Sequence, residues 1–172
     1  MRTITFKNVY VQARAAVVGP LEKEGPLGSL FDKSYTDNYC GESSFEKAER
    51  VLLGDAVDLT LRKAGKGVKD IDLLIGGDLI NQLTSSHYFA KDLEVPFLGM
   101  YGACSTSSLV IGTGAVWVEH QLADTVLAFT SSHVATAERQ FRFPNEYGIQ
   151  KKETTTSTVT GAGAALLSRK KS

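Results

Sequence analysis

The sequence has 172 residues, 42% of them hydrophobic, and its 19 Lys and Arg residues balance 19 Asp and Glu residues. This length suits one domain with a sizeable core, and the zero net charge argues against a global field that attracts nucleic acid or an acidic membrane surface. No stretch approaches the ~20 apolar residues of a spanning helix, and the alternating N-terminus lacks the apolar core of a signal peptide. We therefore expect a single soluble, intracellular-type domain over residues 1–172 that binds no nucleic acid.

The first third of the chain predicts a strand, an ordered loop and a long helix. Residues 4–18 alternate as a strand does, and the turn-rich segment 19–32 follows as a loop. Ser43 and Glu46 have the spacing of a capping box, and apolar residues then recur at helical spacing. Gly65 is predicted to end this helix, because glycine readily adopts the left-handed conformation that follows a last turn.

Short apolar runs and helical stretches alternate through the rest of the chain. Gly112 and Gly114 lie within one predicted helix and indicate close packing there. Strands that are apolar on both faces and alternate with helices indicate an α/β fold, with a mostly parallel mixed sheet flanked by helices. The predicted strands are 71–80, 95–102, 124–132 and 160–168, and the predicted helices are 86–93 and 105–120.

Polar stretches follow three of these strands: GGDLINQ from Gly76, GACSTSS from Gly102 and SSHVATAERQFRFP from Ser131. Because ligands in such sheets bind beyond the carboxyl ends of the strands, we expect a site where these stretches meet. Cys104 suits a helix N-terminus, where free N–H groups and the helix dipole favour an anion. It is either a nucleophile or a small residue that fills a tight turn.

The stretch after the third strand, interpreted as one loop, carries groups that suit a carboxylate-bearing ligand. Arg139 and Arg142 fit bidentate contacts with a carboxylate, or they are surface residues that pair elsewhere. His133 is a candidate general base for Cys104, or a histidine that is only hydrogen-bonded. Asp78 either accepts a hydrogen bond from a ligand, orients His133 or caps the segment that follows it.

The cysteines and the remaining motifs predict neither a disulfide nor a metal. Cys40 and Cys104 are far apart in sequence and are predicted to be free thiols. No cluster has metal-ligand spacing, and the sequence has neither a phosphate-binding lysine loop nor a dinucleotide glycine fingerprint, so no metal and no cofactor is expected. The Thr- and Gly-rich segment 154–168 either lines the pocket or leads flexibly into an edge strand.

GACSTSS, TSSHVATAERQFRFPNEYG and TSTVTGAGAALLS together resemble the thiolase superfamily. With GPLEKEGPLGSLFDKSY and GGDLINQ they resemble more closely the stage V sporulation protein AD family of spore-forming bacteria, over nearly the whole chain. The resemblance implies an α/β/α thiolase-like layer without established turnover, and a role in the uptake of dipicolinic acid or its calcium chelate into the developing spore. It also implies a place in the forespore or spore, soluble or peripheral at the inner spore membrane, beside membrane channel proteins.

Cys104 matches the position of the thiolase nucleophile, but the resemblance covers only one of two similar halves. The catalytic histidine and second cysteine of thiolases belong to the other half, which implies a binding protein and not an enzyme. It also implies association of copies through the apolar face that the second half normally covers. The alternatives are an acyl-transfer enzyme that uses Cys104 and a half-length interaction module. Phe141 or Tyr101 would form a flat wall, and the expected ligand-binding residues are Lys23, Asp78, Asn81, Cys104, Ser105, Ser107, His133, Glu138, Arg139, Gln140 and Arg142.

Overall fold

A computed structural model describes residues 3–141 and 157–169, which form a six-stranded sheet with helices on both faces. None of the described helices is long and apolar enough to cross a membrane. The strands are β1 (Tyr10–Val18), β2 (Lys33–Ser34), β3 (Leu73–Asp78), β4 (Phe97–Gly99), β5 (Thr125–Ser132) and β6 (Gly161–Ser168). The α-helices are α1 (Pro20–Glu24), α2 (Phe45–Ala64), α3 (Thr84–Lys91), α4 (Thr106–Glu119) and α5 (Val134–Phe141), with 3-10 turns at Gly28–Leu30, Val68–Asp70 and Ala103–Ser105.

The sheet has the strand order β2-β1-β6-β5-β3-β4, which confirms the predicted mixed α/β architecture. β3 is parallel to β4 and β5, and β1 is parallel to β2, as expected for strands joined by crossover connections. β6 lies antiparallel between β1 and β5 and so joins the two parallel sets. The apolar pattern of β6 predicts a buried strand but carries no information on its direction.

The two faces of the sheet carry separate hydrophobic clusters. On one face α2 and α3 cover a cluster that includes Leu74 and Phe129. On the other face α4 covers a cluster that includes Ile75 and Val126. Because side chains alternate across a strand, β5 contributes to both clusters until its last residues, Thr130, Ser131 and Ser132, which are polar.

The ends of α2 differ in how well the sequence predicts them. Ser44 is the N-cap and accepts from the Lys47 backbone N–H at 3.3 Å, so the capping box predicted at Ser43 and Glu46 is wrong. At the other end Gly65 has a φ of 63°, and the prediction that it ends the helix is confirmed. The two adjacent serines offer equivalent capping side chains, which explains the shift by one residue.

Two segments predicted as loops contain helices. The segment 19–32 includes α1, whose first residue Pro20 has a φ already suited to a helix start. The segment after Ser132 includes α5, so its polar side chains point in different directions and do not share one loop surface. The run ATAERQF holds good helix formers, but it is too short for an apolar periodicity to show.

The two glycines of α4 have different surroundings. A Cβ at Gly114 would lie 3.0 Å from Leu167 Cδ1 and 3.1 Å from Val126 Cγ1, so α4 approaches the sheet closely there. A Cβ at Gly112 would meet nothing within 4 Å. The prediction of close packing is therefore right for Gly114 and wrong for Gly112.

Candidate functional site

A cavity of about 900 Å³ lies beyond the carboxyl ends of β3 and β5, beside the start of α4. The three polar stretches that the sequence predicts to meet all border it, through Leu79, Cys104 and Ser132. Small residues of β1 and β6 form the rest of its floor. The lining residues are Ala16, Val18, Leu79, Ala103, Cys104, Ser107, Thr130, Ser131, Ser132, Phe141, Ser157, Thr158, Val159, Gly161, Ala162 and Gly163.

Cys104 stands in the turn that leads into α4. Its neighbour Ala103 has a φ of 47°, a left-handed conformation that is strained for a residue with a Cβ. Ser105 donates its hydroxyl to Gly102 O at 2.6 Å and does not cap α4. Cys104 is an exposed free thiol that borders the cavity together with Ser107. The N-terminus of α4 therefore opens on the cavity.

The segment that precedes β6 forms another wall of the cavity and is held by two side chains. Ser132 Oγ donates to Val159 O at 2.6 Å. Glu138, buried on α5, accepts from the Thr158 N–H at 3.2 Å and from its hydroxyl at 3.0 Å. The prediction that the Thr-rich segment lines a pocket is confirmed for residues 157–159. Glu138 supports this wall and does not itself border the cavity, and its predicted contact with a ligand stays a prediction.

His133 is fully buried at the start of α5 and faces away from the cavity. Its Nε2 donates to Asn38 O at 2.8 Å, its Nδ1 accepts from the Ala135 N–H at 3.1 Å, and its ring stacks on Phe45. Burial lowers the pKa of the imidazole, and the neutral ring satisfies both contacts. The structure therefore shows no contact of His133 with Cys104 or the cavity, and its binding of a ligand stays a prediction.

Asp78 is fully buried and faces α3. Its Oδ2 accepts from the Ser86 backbone N–H at 2.9 Å and from the Ser86 hydroxyl at 2.8 Å, so it caps the first turn of α3 from the end of β3. Of the three roles that the sequence leaves open, capping is therefore confirmed. Asp78 does not border the cavity, and both ring nitrogens of His133 have other partners, so contact of Asp78 with a ligand stays a prediction.

Arg139, one of the two arginines predicted to hold a carboxylate, does not border the cavity. Arg139 forms an ion pair with Glu46 of α2, which occupies its guanidinium group. α5 turns this side chain toward α2, and a helix was not predicted there. Arg142 lies outside the described residues.

Three further predicted contacts lie away from the cavity. Lys23 is exposed on α1, and Asn81 is joined to Gln140 by a hydrogen bond from the Asn81 N–H to Gln140 Oε1 at 3.3 Å. That bond ties the connection between β3 and α3 to α5. Of the two aromatic residues proposed as a wall, Phe141 borders the cavity and Tyr101 does not.

The sequence does not single out the polar residues at the end of β5 or the small residues at the start of β6, which line the cavity. Thr130 and Ser132 border the cavity, whereas the Ser131 hydroxyl points through the opposite face of the sheet. The alternation of a strand is the signal that separates these neighbours. A Cβ at Gly163 would have only Ala15 O within 4 Å, at 3.8 Å, so the space above this glycine is open.

The cavity combines donors for an anion with a flat apolar wall. The start of α4 and the hydroxyls of Ser107 and Thr130 are the donors, and Phe141 provides the wall. Cys40 and Cys104 are both free, as predicted. Within residues 3–141 and 157–169 no three His, Cys, Asp or Glu side chains are grouped to hold a metal ion.

Comparison with known sequences assigns a family. The family model "Stage V sporulation protein AD (SpoVAD)" matches residues 1–172. Stage V sporulation protein AD of Bacillus subtilis (strain 168) is 51% identical over 161 residues, which are 94% of this chain and 48% of that protein. The chain therefore spans about half the length of this curated relative.

Solved structures with the same fold include a 3-oxoacyl-[acyl-carrier-protein] synthase III, a priming β-ketosynthase and OleA. 3-Oxoacyl-[acyl-carrier-protein] synthase III from Aquifex aeolicus VF5 has a TM-score of 0.63 and 14% identity, and the match covers 95% of this chain and 55% of that chain. The priming β-ketosynthase of the R1128 polyketide pathway has a TM-score of 0.60 and 17% identity, with coverages of 99% and 52%. The OleA H285N variant of Xanthomonas campestris has a TM-score of 0.60 and 16% identity, with coverages of 95% and 57%. At such identities the likeness shows the thiolase-like fold alone.

Proposed function

We propose, because this chain belongs to the stage V sporulation protein AD family, that it serves spore formation by binding dipicolinate or its calcium chelate, without enzymatic turnover. The observation that carries this proposal is the N-terminus of α4, which opens on the cavity beside Cys104 and Ser107 without a side-chain cap. Helix N-termini favour carboxylates and other anions, because their backbone N–H groups and dipole both point at the ligand.

The chemistry of dipicolinate fits the residues that border the cavity. One carboxylate would take the N–H groups of the first turn of α4 and the Ser107 hydroxyl. The second would take the hydroxyl of Thr130 across the cavity, and the pyridine ring would lie on Phe141. Arg139 is not needed in this arrangement, since it pairs with Glu46.

The alternative, acyl transfer through Cys104, lacks a base within the described residues. A cysteine nucleophile needs a base within hydrogen-bond reach, and no histidine borders the cavity in this part of the chain. Cys104 then serves as a small residue at the corner where α4 begins.

Calorimetric titration with dipicolinate, with and without calcium, tests the proposal. Ser107→Glu places a negative charge at the first turn of α4 beside the cavity, and we expect it to abolish binding. Ser108→Glu is the matched control, because this exposed neighbour does not border the cavity. Saturable heat with the wild type and S108E, and none with S107E, supports the site. No heat from the wild type at millimolar ligand, or equal loss in both variants, contradicts it.

We further propose that the protein works in the forespore beside sporulation membrane channel proteins and that copies of the chain associate. Ile111 on α4 is 42% exposed, and Leu122 just beyond the helix is 62% exposed, so this side of the molecule presents apolar surface. Sedimentation at micromolar concentration tests the association. A strictly monomeric species would contradict it.

A further inference from the structure

Two buried carboxyl groups, Glu49 of α2 and Asp78 of β3, lie at the end of β5: Ser131 bonds Glu49 and is the register partner of Asp78. Glu49 is 1% exposed and Asp78 is 0% exposed. In the described part of the chain neither forms an ion pair with Lys, Arg or His. Two adjacent buried negative charges without a cation are costly, because desolvation and mutual repulsion both oppose ionisation.

The hydrogen bonds around Glu49 indicate where a proton resides. Ser131 Oγ donates to Glu49 Oε1 at 2.9 Å. Thr136 Oγ1 lies 3.2 Å from Glu49 Oε2 and 3.1 Å from His133 O. A threonine hydroxyl has one hydrogen and cannot donate fully to two acceptors. Both contacts are complete if Oε2 carries a proton and donates it to Thr136 while Thr136 donates to His133 O.

Thr60, on α2 like Glu49, also has a hydroxyl group between two acceptors, but both of them are backbone carbonyl oxygens. Its hydroxyl lies 2.8 Å from Ala56 O and 3.3 Å from Ala164 O, so two carbonyl oxygens must share one hydrogen. At Thr136 one of the two neighbours is a carboxyl group that can itself supply the hydrogen. Asp78 is the less suited member of the pair to hold the proton. Its Oδ2 accepts two hydrogen bonds from Ser86, and its buried Oδ1 has no partner among the described residues that could accept a hydrogen bond from a proton there.

The charged groups on the surrounding elements leave this pair without a direct counterion. His87 of α3 acts electrostatically on Asp78 without forming an ion pair with it, and α5 turns Arg139 toward Glu46. From β1, Arg14 lies near Asp32 and Lys63, at the far end of α2. Beyond β6, Arg169 donates to Glu119 O of α4, on the other face of the sheet. β5 contributes the hydroxyl of Ser131.

We propose that Glu49 is protonated in the folded protein and is a positioning residue for the cavity, so that its deprotonation and the binding of an anion oppose each other. The coupling to a ligand rests on the proposed function. Ser131 is the link, because its hydroxyl bonds Glu49 on one face while the adjacent Thr130 and Ser132 border the cavity on the other. A charge on Glu49 would face the bound anion across one strand, and coupling between two such sites is reciprocal.

Glu49→Gln tests the proposal, because the amide reproduces the protonated side chain. Its oxygen still accepts from Ser131, and its NH₂ group donates to Thr136. We expect the Kd of the wild type for dipicolinate to rise about tenfold between pH 6 and pH 8.5. We expect E49Q to bind as the wild type does at pH 6 and to lose this rise. Asp58→Asn, an exposed substitution on the same helix, should keep the wild-type profile. A flat wild-type profile, or the same slope in E49Q, overturns the coupling.

A ligand-free measurement separates the failure of this inference from the failure of the proposed function. In carboxyl-carbon NMR we expect Glu49 to titrate near pH 7, because burial raises its pKa to about 7, with the Asp78 carboxylate adding to the shift. The amide signals of Thr130 and Ser132 should move with the same midpoint in the wild type and not in E49Q. If dipicolinate fails to bind at any pH, these signals alone decide whether Glu49 is a positioning residue. A titration midpoint near 4.5 overturns the proposal. A melting temperature that changes with the concentration of an added cation at constant ionic strength also overturns it, because a cation and not a proton would then neutralise the carboxyl pair.

Discussion

The last three residues of β5 present polar side chains on both faces of the strand, and the two faces use them differently. Toward α2, the Ser131 hydroxyl enters a closed network with Glu49 and Thr136. Toward the cavity, Thr130 and Ser132 border open space next to the start of α4. On the α2 face, the hydrogen-bond network lies next to an aromatic cluster that packs tightly around Phe129. On the other face, glycine and alanine residues line the cavity. Consecutive polar residues therefore belong to the core on one face and to a binding surface on the other.

The largest loss of stability is expected from a substitution on the packed face of β5, toward α2. Phe129 is 1% exposed and stacks on Phe97, so Phe129→Ala should reduce the free energy of unfolding by about 3–5 kcal/mol. Thr130→Ala, the next residue but on the cavity face, should change it by less than about 1 kcal/mol. Urea denaturation measures both values. Similar losses in the two variants would show that the cavity face is packed as well.

The next effect concerns pH and the buried carboxyl of Glu49. Burial, followed by the charge of Asp78, raises the pKa of Glu49 from 4.5 to about 7. Between these values the folded state holds a proton that the unfolded state has lost. The free energy of unfolding therefore falls as pH rises through this window, by about 3 kcal/mol in total, and the loss is complete above pH 7.

Glu49→Gln removes that titration. We expect the melting temperature of E49Q to rise relative to that of the wild type between pH 5 and pH 8. Asp58→Asn should match the wild type at both pH values. A constant difference between E49Q and the wild type across this range would mean that Glu49 ionises in the folded protein as it does in the unfolded chain.

The two cysteines sharpen the comparison through reactivity. Cys104 is exposed at the cavity, whereas Cys40 is 8% exposed beneath the α2 face, where burial raises its pKa to about 11. We expect iodoacetamide at pH 8 to modify Cys104 in the folded protein and Cys40 only after denaturation. Peptide mass spectrometry reads the sites, and early modification of Cys40 would contradict the packing of this face.

The smallest change in stability is expected from filling the cavity. Gly163→Val adds a side chain in open space and replaces a glycine in a strand, so the free energy of unfolding should change by less than about 1 kcal/mol. Dipicolinate binding should nevertheless be lost, because the new methyl groups occupy the floor of the cavity. Gly161→Val is a crowded counterpart, since a Cβ there would lie 2.9 Å from Val17 O, and it should destabilise the protein more. Retained binding in a folded G163V variant would move the ligand elsewhere.

Much of the fold follows from local sequence patterns, because apolar runs and helical periodicity are local properties. The strand around Ile75 and the helix ended by Gly65 were predicted within a few residues. The antiparallel direction of β6 was not, since strand direction depends on distant partners and not on the pattern of one segment. The helix α5 was missed because eight residues give too little periodicity to read.

The candidate site was predictable as a place but not as a set of side chains. The rule that ligands lie beyond strand ends brought the surroundings of Cys104 and Ser132 together correctly. Chemical type alone then assigned His133, Asp78 and Arg139 to the ligand, and each has a structural partner instead. Whether a polar side chain faces a cavity depends on strand alternation and helix rotation, and an error of one residue in either reverses its direction.

The central position of β6 has a consequence for how the chain is made. β6 is the last strand in chain order among the described residues, yet it alone joins β1 to β5. Until β6 is synthesised, no strand joins the two groups of earlier strands. One group is β1 with β2, the other is β3 with β4 and β5, and each has an open edge. Sheet closure then depends on contacts between residues more than 100 positions apart, such as Val17 with Ala162, which makes it a slow and cooperative step. A ribosome-bound chain stalled before residue 161 would therefore be a natural client for a chaperone.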